Sequence, residues 1–292
     1  MANFREYSAR LTSMSGMRRV TATMKMVAAS HLHRAQTERH LPEPFAAALW
    51  KLVPFVKQAA FKKHRLCVPP PEQGGRVLLV VITSNRGLCG AFNNSVVREV
   101  RRWVKEQTAA RGVRVEAVFV GQKGYTALWR EISPCMKAVS ASAHPQAKEA
   151  AVVSRYAMDF FLSKQVDEVW IAGNWFVSAM NTETRVQRVL PYLERPPRAR
   201  REPVPETLPK LIEPKDERML EAIMRQWVHL GVYDALLNSV ASEHAARVMA
   251  MENATVNLRR MEKELTLLRN RARQAAITNE LTEIVSGAEA LG

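Results

Sequence analysis

The 292-residue chain is 47% hydrophobic and 24% charged, enough apolar material for one large core or two modest ones. No run approaches the ~18 apolar residues that cross a bilayer. The start, Met1-Ala2-Asn3-Phe4-Arg5-Glu6, lacks a charged-then-apolar signal pattern, so a soluble protein working where it is made is expected. The net charge of +15 asks for an acidic partner without choosing between nucleic acid, anionic lipid and protein.

That charge is uneven: residues 1–65 carry 12 Lys/Arg against 3 Asp/Glu, and residues 211–292 carry 10 against 12. Cys67, Cys89 and Cys135 are odd in number and show no CxxC spacing, which argues for reduced thiols over a disulfide framework or zinc site. His31-Leu32-His33 does not place two ligands on one helical face, and no metal is expected.

In chain order, the first element is a long helix. Phe4, Tyr7, Leu11, Met14, Met17, Val20, Met24 and Val27 follow a heptad with one irregular step, and only Gly16 lowers helix propensity before Pro42. Ala28, Ala29 and Ala35 are small enough to admit a neighbouring backbone. The run Pro69-Pro70-Pro71 through Gly74-Gly75 marks a boundary.

Beyond it, Val77–Thr83 reads as a short buried strand, about Asn94 to Arg111 as a helix, and Val113–Val120 as a second strand. Ala147–Leu162 reads as a helix and Glu168–Ala172 as a third strand, so strands alternate with helices as in a parallel sheet of βαβ units. The Ser84–Gly90 turn follows a strand and precedes a helix, where backbone N–H groups can cradle phosphate. It matches neither GxGxxG nor the Walker pattern and is read as turn geometry, and no His or acid near Cys89 in sequence makes it a nucleophile. Arg195–Pro209, with Arg and Pro interleaved, reads as a loop.

The strongest pattern closes the chain. Val232–Ser286 contains neither glycine nor proline, roughly 80 Å of helix at 1.5 Å per residue. Met251, Ala254, Leu258, Met261, Leu265, Leu268, Ala272 and Ala275 keep 3-4 spacing, and the register extends back through Leu230, Tyr233, Leu237, Val240, His244 and Arg247. His244 and Arg247 in that seam are either buried polar residues that fix register or signs of a locally shifted seam. The expected fold is therefore α/β: a long antiparallel two-helix coiled coil from the chain's two ends, with a Rossmann-like α/β domain inserted. Expected bounds are 1–65 for the N-terminal coil segment, 75–195 for the α/β domain, 196–210 for a linker and 211–292 for the C-terminal coil segment.

Four blocks in order resemble the γ-subunit family of F-type ATP synthases: Met24–Ser30, Ile82–Asn93, Ala241–Met251 and Asn270–Gly287. The last, Asn-Arg-Ala-Arg-Gln-Ala-Ala-Ile-Thr-Asn-Glu-Leu-Thr-Glu-Ile-Val-Ser-Gly, is the most specific; residues about 120–215 match loosely. The resemblance implies a non-catalytic rotor shaft, without cofactor, that couples ion flow through a c-ring to nucleotide chemistry at β subunits. It implies α, β and ε subunits and the c-ring as partners, no nucleic acid, and a peripheral place on the cytoplasmic face of the bacterial inner membrane, touched only through the c-ring.

Carried over by position, Arg273 and Gln274 are the principal contacts to a β subunit, with Thr278 and Glu283 nearby. Met26 faces the same region, with Lys25 adding charge, and Glu213 in Leu211-Ile-Glu-Pro214 is the c-ring or ε contact. Ala91 stands where the family pattern has glycine, His244 where it has glutamine, and Arg195–Arg201 is unusually basic. These departures leave open a divergent second, sodium-linked ATPase. Two other classes were weighed. A nucleotide-dependent enzyme lacks its fingerprint, and a coiled-coil nucleic-acid binder would need a basic helix face that the dispersed charges do not make.

Overall fold

The computed structural model describes residues 4–53, 56, 58–134, 139–193 and 217–289. The chain packs as two units, one of residues 1–29 with 247–292 and one of residues 30–246. Two helices contribute to both: α1, Phe4–Glu38, and α7, Glu217–Glu289.

In the larger unit, α1 stops at Glu38 and α2, Pro42–Leu52, begins with proline at its first turn, where a missing N–H costs nothing. A short α3, Gln58–Lys63, and a 3-10 turn at Arg65–Cys67 lead to the sheet. The strands are β1 (Arg76–Ile82), β2 (Arg114–Val120), β3 (Ser133–Pro134), β4 (Glu168–Phe176) and β5 (Thr182–Leu190), in spatial order β3-β2-β1-β4-β5. The first four run parallel, with Val77 opposite both Val115 and Glu168, and β5 closes one edge antiparallel to β4. Helices α4 (Phe92–Arg111), α5 (Gln122–Leu128) and α6 (Ala147–Leu162) complete the crossovers.

β1 is buried on both faces, as strands under two helical layers must be. Its even positions, Leu78, Val80 and Ile82, join Val118, Val169 and Ile171 beneath α6 and the 219–236 stretch of α7. Its odd positions, Val77, Leu79 and Val81, pack with Phe119 against Val96, Val100 and Trp103 of α4. A third cluster joins Leu32 and Ala35 of α1 to Phe176 and to Val240, Ala241 and Ala245 of α7.

The expected α/β architecture stands, with two additions. β5 and α5 were not anticipated: β5 is an edge strand whose side chains are mostly polar, alternating half-buried and exposed along its first half, so it lacks the apolar run that identified β1. The final helix starts at Glu217, earlier than the glycine-free stretch, because Gly231 sits within it where a Cβ would meet nothing within 4 Å.

In the smaller unit α1 and α7 pair antiparallel, with Arg18 reaching Glu262 and Thr21 reaching Thr255. The seam differs from the apolar spacing. On α1 the covered positions run Phe4, Tyr7, Leu11, Met14, Arg18, Thr21, Lys25 and Ala28, an unbroken 3-4 repeat, while Met17, Val20 and Val27 are exposed. On α7 they run Met251, Thr255, Leu258, Glu262, Leu265, Arg269 and Ala272, leaving Met261 and Leu268 exposed. The heptad thus keeps step through polar residues, because Arg18, Thr21 and Lys25 find Glu262, Thr255 and Glu252 across the seam and can sit where an apolar residue would.

Candidate functional site

The residues nominated for contact with a β subunit sit mostly at the end of α7, in the smaller unit. Every side chain from Arg273 to Ser286 is exposed, Arg273, Gln274, Thr278 and Glu283 among them. Gln274 and Thr278 are stacked one turn apart, and the Thr278 hydroxyl donates to the Gln274 carbonyl at 3.0 Å. Glu283 lies nine residues from Gln274, roughly 180° around the helix at 3.6 residues per turn. The four therefore do not share one face: Gln274 and Thr278 lie on one side, Glu283 lies opposite Gln274, and Arg273 falls between the two sides, roughly 100° from Gln274 and roughly 80° from Glu283.

Between them are large apolar side chains left in the open: Ile277, Leu281, Ile284 and Val285, the third of these 67% exposed. They lie beyond the last covered seam residue, Ala272, and outside its heptad register. Helix propensity holds the segment straight without tertiary cover, since it contains no glycine or proline before Ser286.

Met26 on α1 is also exposed, at 66%, whereas its neighbour Met24 is partly covered. Lys25 is half-exposed and already paired within the coil. Its ammonium is ion-paired with Glu252 across the coil, and this contact holds the Glu252 carboxyl below the usual carboxylate range. Glu213 and the 196–210 linker fall outside the described residues, as do Cys135 and the basic Arg195–Arg201 run.

The Ser84–Gly90 turn is stitched onto itself. The Ser84 amide donates to Asn93 Oδ1 at 3.0 Å, the Ser84 hydroxyl donates to the Arg86 carbonyl at 2.6 Å, and Asn93 Nδ2 donates to Cys89 Sγ at 3.2 Å. Cys89 is buried, and these contacts account for the turn as geometry that launches α4. Ala91, at the helix start, has φ −82°, which any residue adopts, so the glycine of the family pattern is not required there. Among the described residues no group of three or more His, Cys, Asp or Glu side chains is arranged to hold a metal ion. No described helix is long and apolar enough to cross a membrane.

Sequence reasoning missed the polar seam residues Arg18, Thr21, Thr255 and Glu262, which apolar periodicity cannot register. A strict 3-4 count from Phe4 would have found them. His244, doubtful in the apolar register, is buried and stacks on His31.

A sequence model of the ATP synthase family matches residues 3–291. The ATP synthase gamma chain of Geotalea uraniireducens (strain Rf4) is 33% identical over 294 residues, covering 100% of this chain and 99% of that protein. The chain belongs to the ATP synthase gamma-chain family. Another gamma chain, from Xanthomonas oryzae pv. oryzae (strain PXO99A), is 35% identical over 299 residues, spanning all of both chains. Among solved structures, a chain of the central stalk and c-ring of the Tetrahymena thermophila mitochondrial ATP synthase is 26% identical with TM-score 0.58, matching 80% of this gamma chain and 99% of that one. A chain of the Euglena gracilis mitochondrial ATP synthase shares the fold at TM-score 0.69 over 99% of this chain and 94% of that one, with 18% identity.

Proposed function

We propose that the chain is the central shaft of a rotary ATP synthase, turning inside a ring of α and β subunits and doing no bond chemistry itself. The observation that carries this reading is the Arg273–Ser286 stretch of α7. It combines four exposed apolar side chains with directional polar groups, a surface that a partner would cover. Charge-assisted hydrogen bonds from Arg273 and amide bonds from Gln274 suit a torque contact, because they are directional and exchange readily with water. Thr278 extends the Gln274 side, Glu283 offers a second contact opposite Gln274 with Arg273 between the two, and Met26 adds an apolar one from α1. The paired helices supply stiffness, and the Lys25–Glu252 pair serves the coil before it serves any partner.

The α/β domain, proposed within 75–195, is read as the foot that meets ε and the c-ring, with Glu213 as a contact. Ion flow, the ion being a proton in this reading, then reaches the β subunits through the shaft. The complex would lie peripherally on the cytoplasmic face of a bacterial inner membrane. Relatives that bear the name ATP synthase gamma chain over their full length favour this over a divergent sodium-linked ATPase. Purifying the tagged chain from membranes tests the reading. α and β subunits in threefold molar excess, with ATPase activity, are expected; the chain recovered without them would overturn it.

A further inference from the structure

Three imidazoles from three separate elements meet in the larger unit. His31 of α1 stacks on His244 of α7 with ring centroids 5.0 Å apart and planes 17° apart, and His144, just before α6, lies 5.1 Å from His31. His31 is therefore the middle ring of three. Neutral imidazoles tolerate this spacing, whereas two or three imidazolium ions at such distances repel in a partly dry site. His244 is buried, and the Nδ1 of His144 is buried with no hydrogen bond.

The chain around His144 is held at one end by other means. Asn85 Nδ2 donates to Ser140 Oγ at 2.9 Å and to the Ala141 carbonyl at 2.7 Å, and the Ala141 amide donates to Asn85 Oδ1. At the other end Gln146 leads into α6, its carbonyl accepting from the Glu149 amide at 2.9 Å, and between the two ends His144 meets α1 through its ring against His31 and through Nδ1, 4.0 Å from Glu38 Oε2.

The charges facing the cluster come from every element around it. On α1, Arg34 adds positive charge, and Glu38 Oε2 is 4.0 Å from His144 Nδ1 but is already bonded to Arg34 at 2.6 Å. Glu149 of α6 and Glu243 of α7 line the small cavity under the segment, and Tyr233 of α7 feels both Glu38 and Glu149. The sheet ends there, Ile82, Thr83 and Val120, carry no charge.

We propose that His144, seated against His31 where His31 stacks on His244, is an acid-sensitive latch, holding residues 142–146 to α1 while its ring is neutral and releasing them as it protonates. Burial, then Arg34 and His31, push His144 below the usual imidazole value, outweighing Glu38. The folded state thus takes up its proton less readily than the unfolded state. The latch is at full strength above the ordinary histidine value of about 6.5 and weakens as pH falls below it. Nothing in this depends on the shaft reading.

The test is hydrogen exchange on the full chain at pH 7.5 and 5.5, corrected for the intrinsic pH dependence of amide exchange. In the wild type, peptides covering 139–146 should lose protection at the lower pH by up to about tenfold, the most one depressed histidine can contribute at pH 5.5 when its ordinary value is about 6.5. His144→Gln and His31→Gln keep a neutral side chain of similar size and should change less than about threefold. Equal losses in wild type and variants, or no loss in the wild type, would sink the latch. If a variant is already unprotected at pH 7.5, ring-proton titration of the wild type decides instead. The His144 midpoint should lie below the ordinary histidine value, and an ordinary midpoint for His144 would reject the proposal.

Discussion

Gly121 follows β2 at φ +94°, and a Cβ there would lie 2.1 Å from the Thr83 carbonyl oxygen. Both the backbone conformation and the close approach demand glycine, so Gly121→Ala should cost at least about 2 kcal/mol in a chemical unfolding curve. Glu168 is buried at the start of β4, where it accepts hydrogen bonds from the Arg111 guanidinium and from Trp170 Nε1. Removing it strands a largely buried cation, and Glu168→Ala should cost about 3 kcal/mol by the same measurement. At the proposed torque contact, Arg273→Ala with Gln274→Ala should leave the monomer's melting unchanged, since both are exposed, while lowering coupled ATP synthesis in the assembled complex. Unchanged synthesis and hydrolysis would remove these two residues from the contact. Arg273 and Gln274 are proposed from the sequence alone, on the C-terminal block, whereas the Gly121 constraint was not legible there: its cause is a carbonyl 38 positions earlier in the chain.

At the scale of the element, the coil shows how a heptad survives polar residues. Arg18, Thr21 and Lys25 occupy seam positions of α1 and are met by Glu262, Thr255 and Glu252. Exposed ion pairs of this kind contribute little to stability, commonly under ~1 kcal/mol, so half-buried apolar seam residues carry most of the association. Leu11→Ala or Leu265→Ala should therefore cost roughly 1–2 kcal/mol, while Val20→Ser and Met261→Gln, on exposed faces, should stay within about 0.5 kcal/mol. Equal losses in the two sets would restore the purely apolar seam that periodicity alone suggests. The exposed Met17, Val20 and Val27 on α1 remain as a second apolar stripe, of a kind that invites a partner.

At the scale of the molecule, stability and proposed function occupy different residues. The sheet and its two helical layers hold the large core, and α7 runs on past Ala272 with no covered side chain through Ser286. Deleting residues 273–292 should accordingly shift the thermal midpoint of the isolated chain by no more than about 2 °C while impairing recovery of α and β subunits with it. A large loss of stability would mean that this end of the helix is part of the fold. The net charge of +15 is spread over both units, which agrees with a chain whose partners are met at several surfaces.

The sequence by itself determined the alternation of strands and helices in the middle, the long helices at both ends and the family, because buried strands, heptads and an 18-residue family block are local patterns. Tertiary structure alone decided which heptad faces the partner, since polar seam residues are acceptable only when a specific neighbour satisfies them. It also added β5, an edge strand whose mostly polar side chains leave no apolar run to read. The meeting of His31, His144 and His244 belongs to the same class: three histidines more than a hundred and ten, and again a hundred, positions apart come within 5.1 Å of a common ring only once α1 and α7 pack beside the sheet.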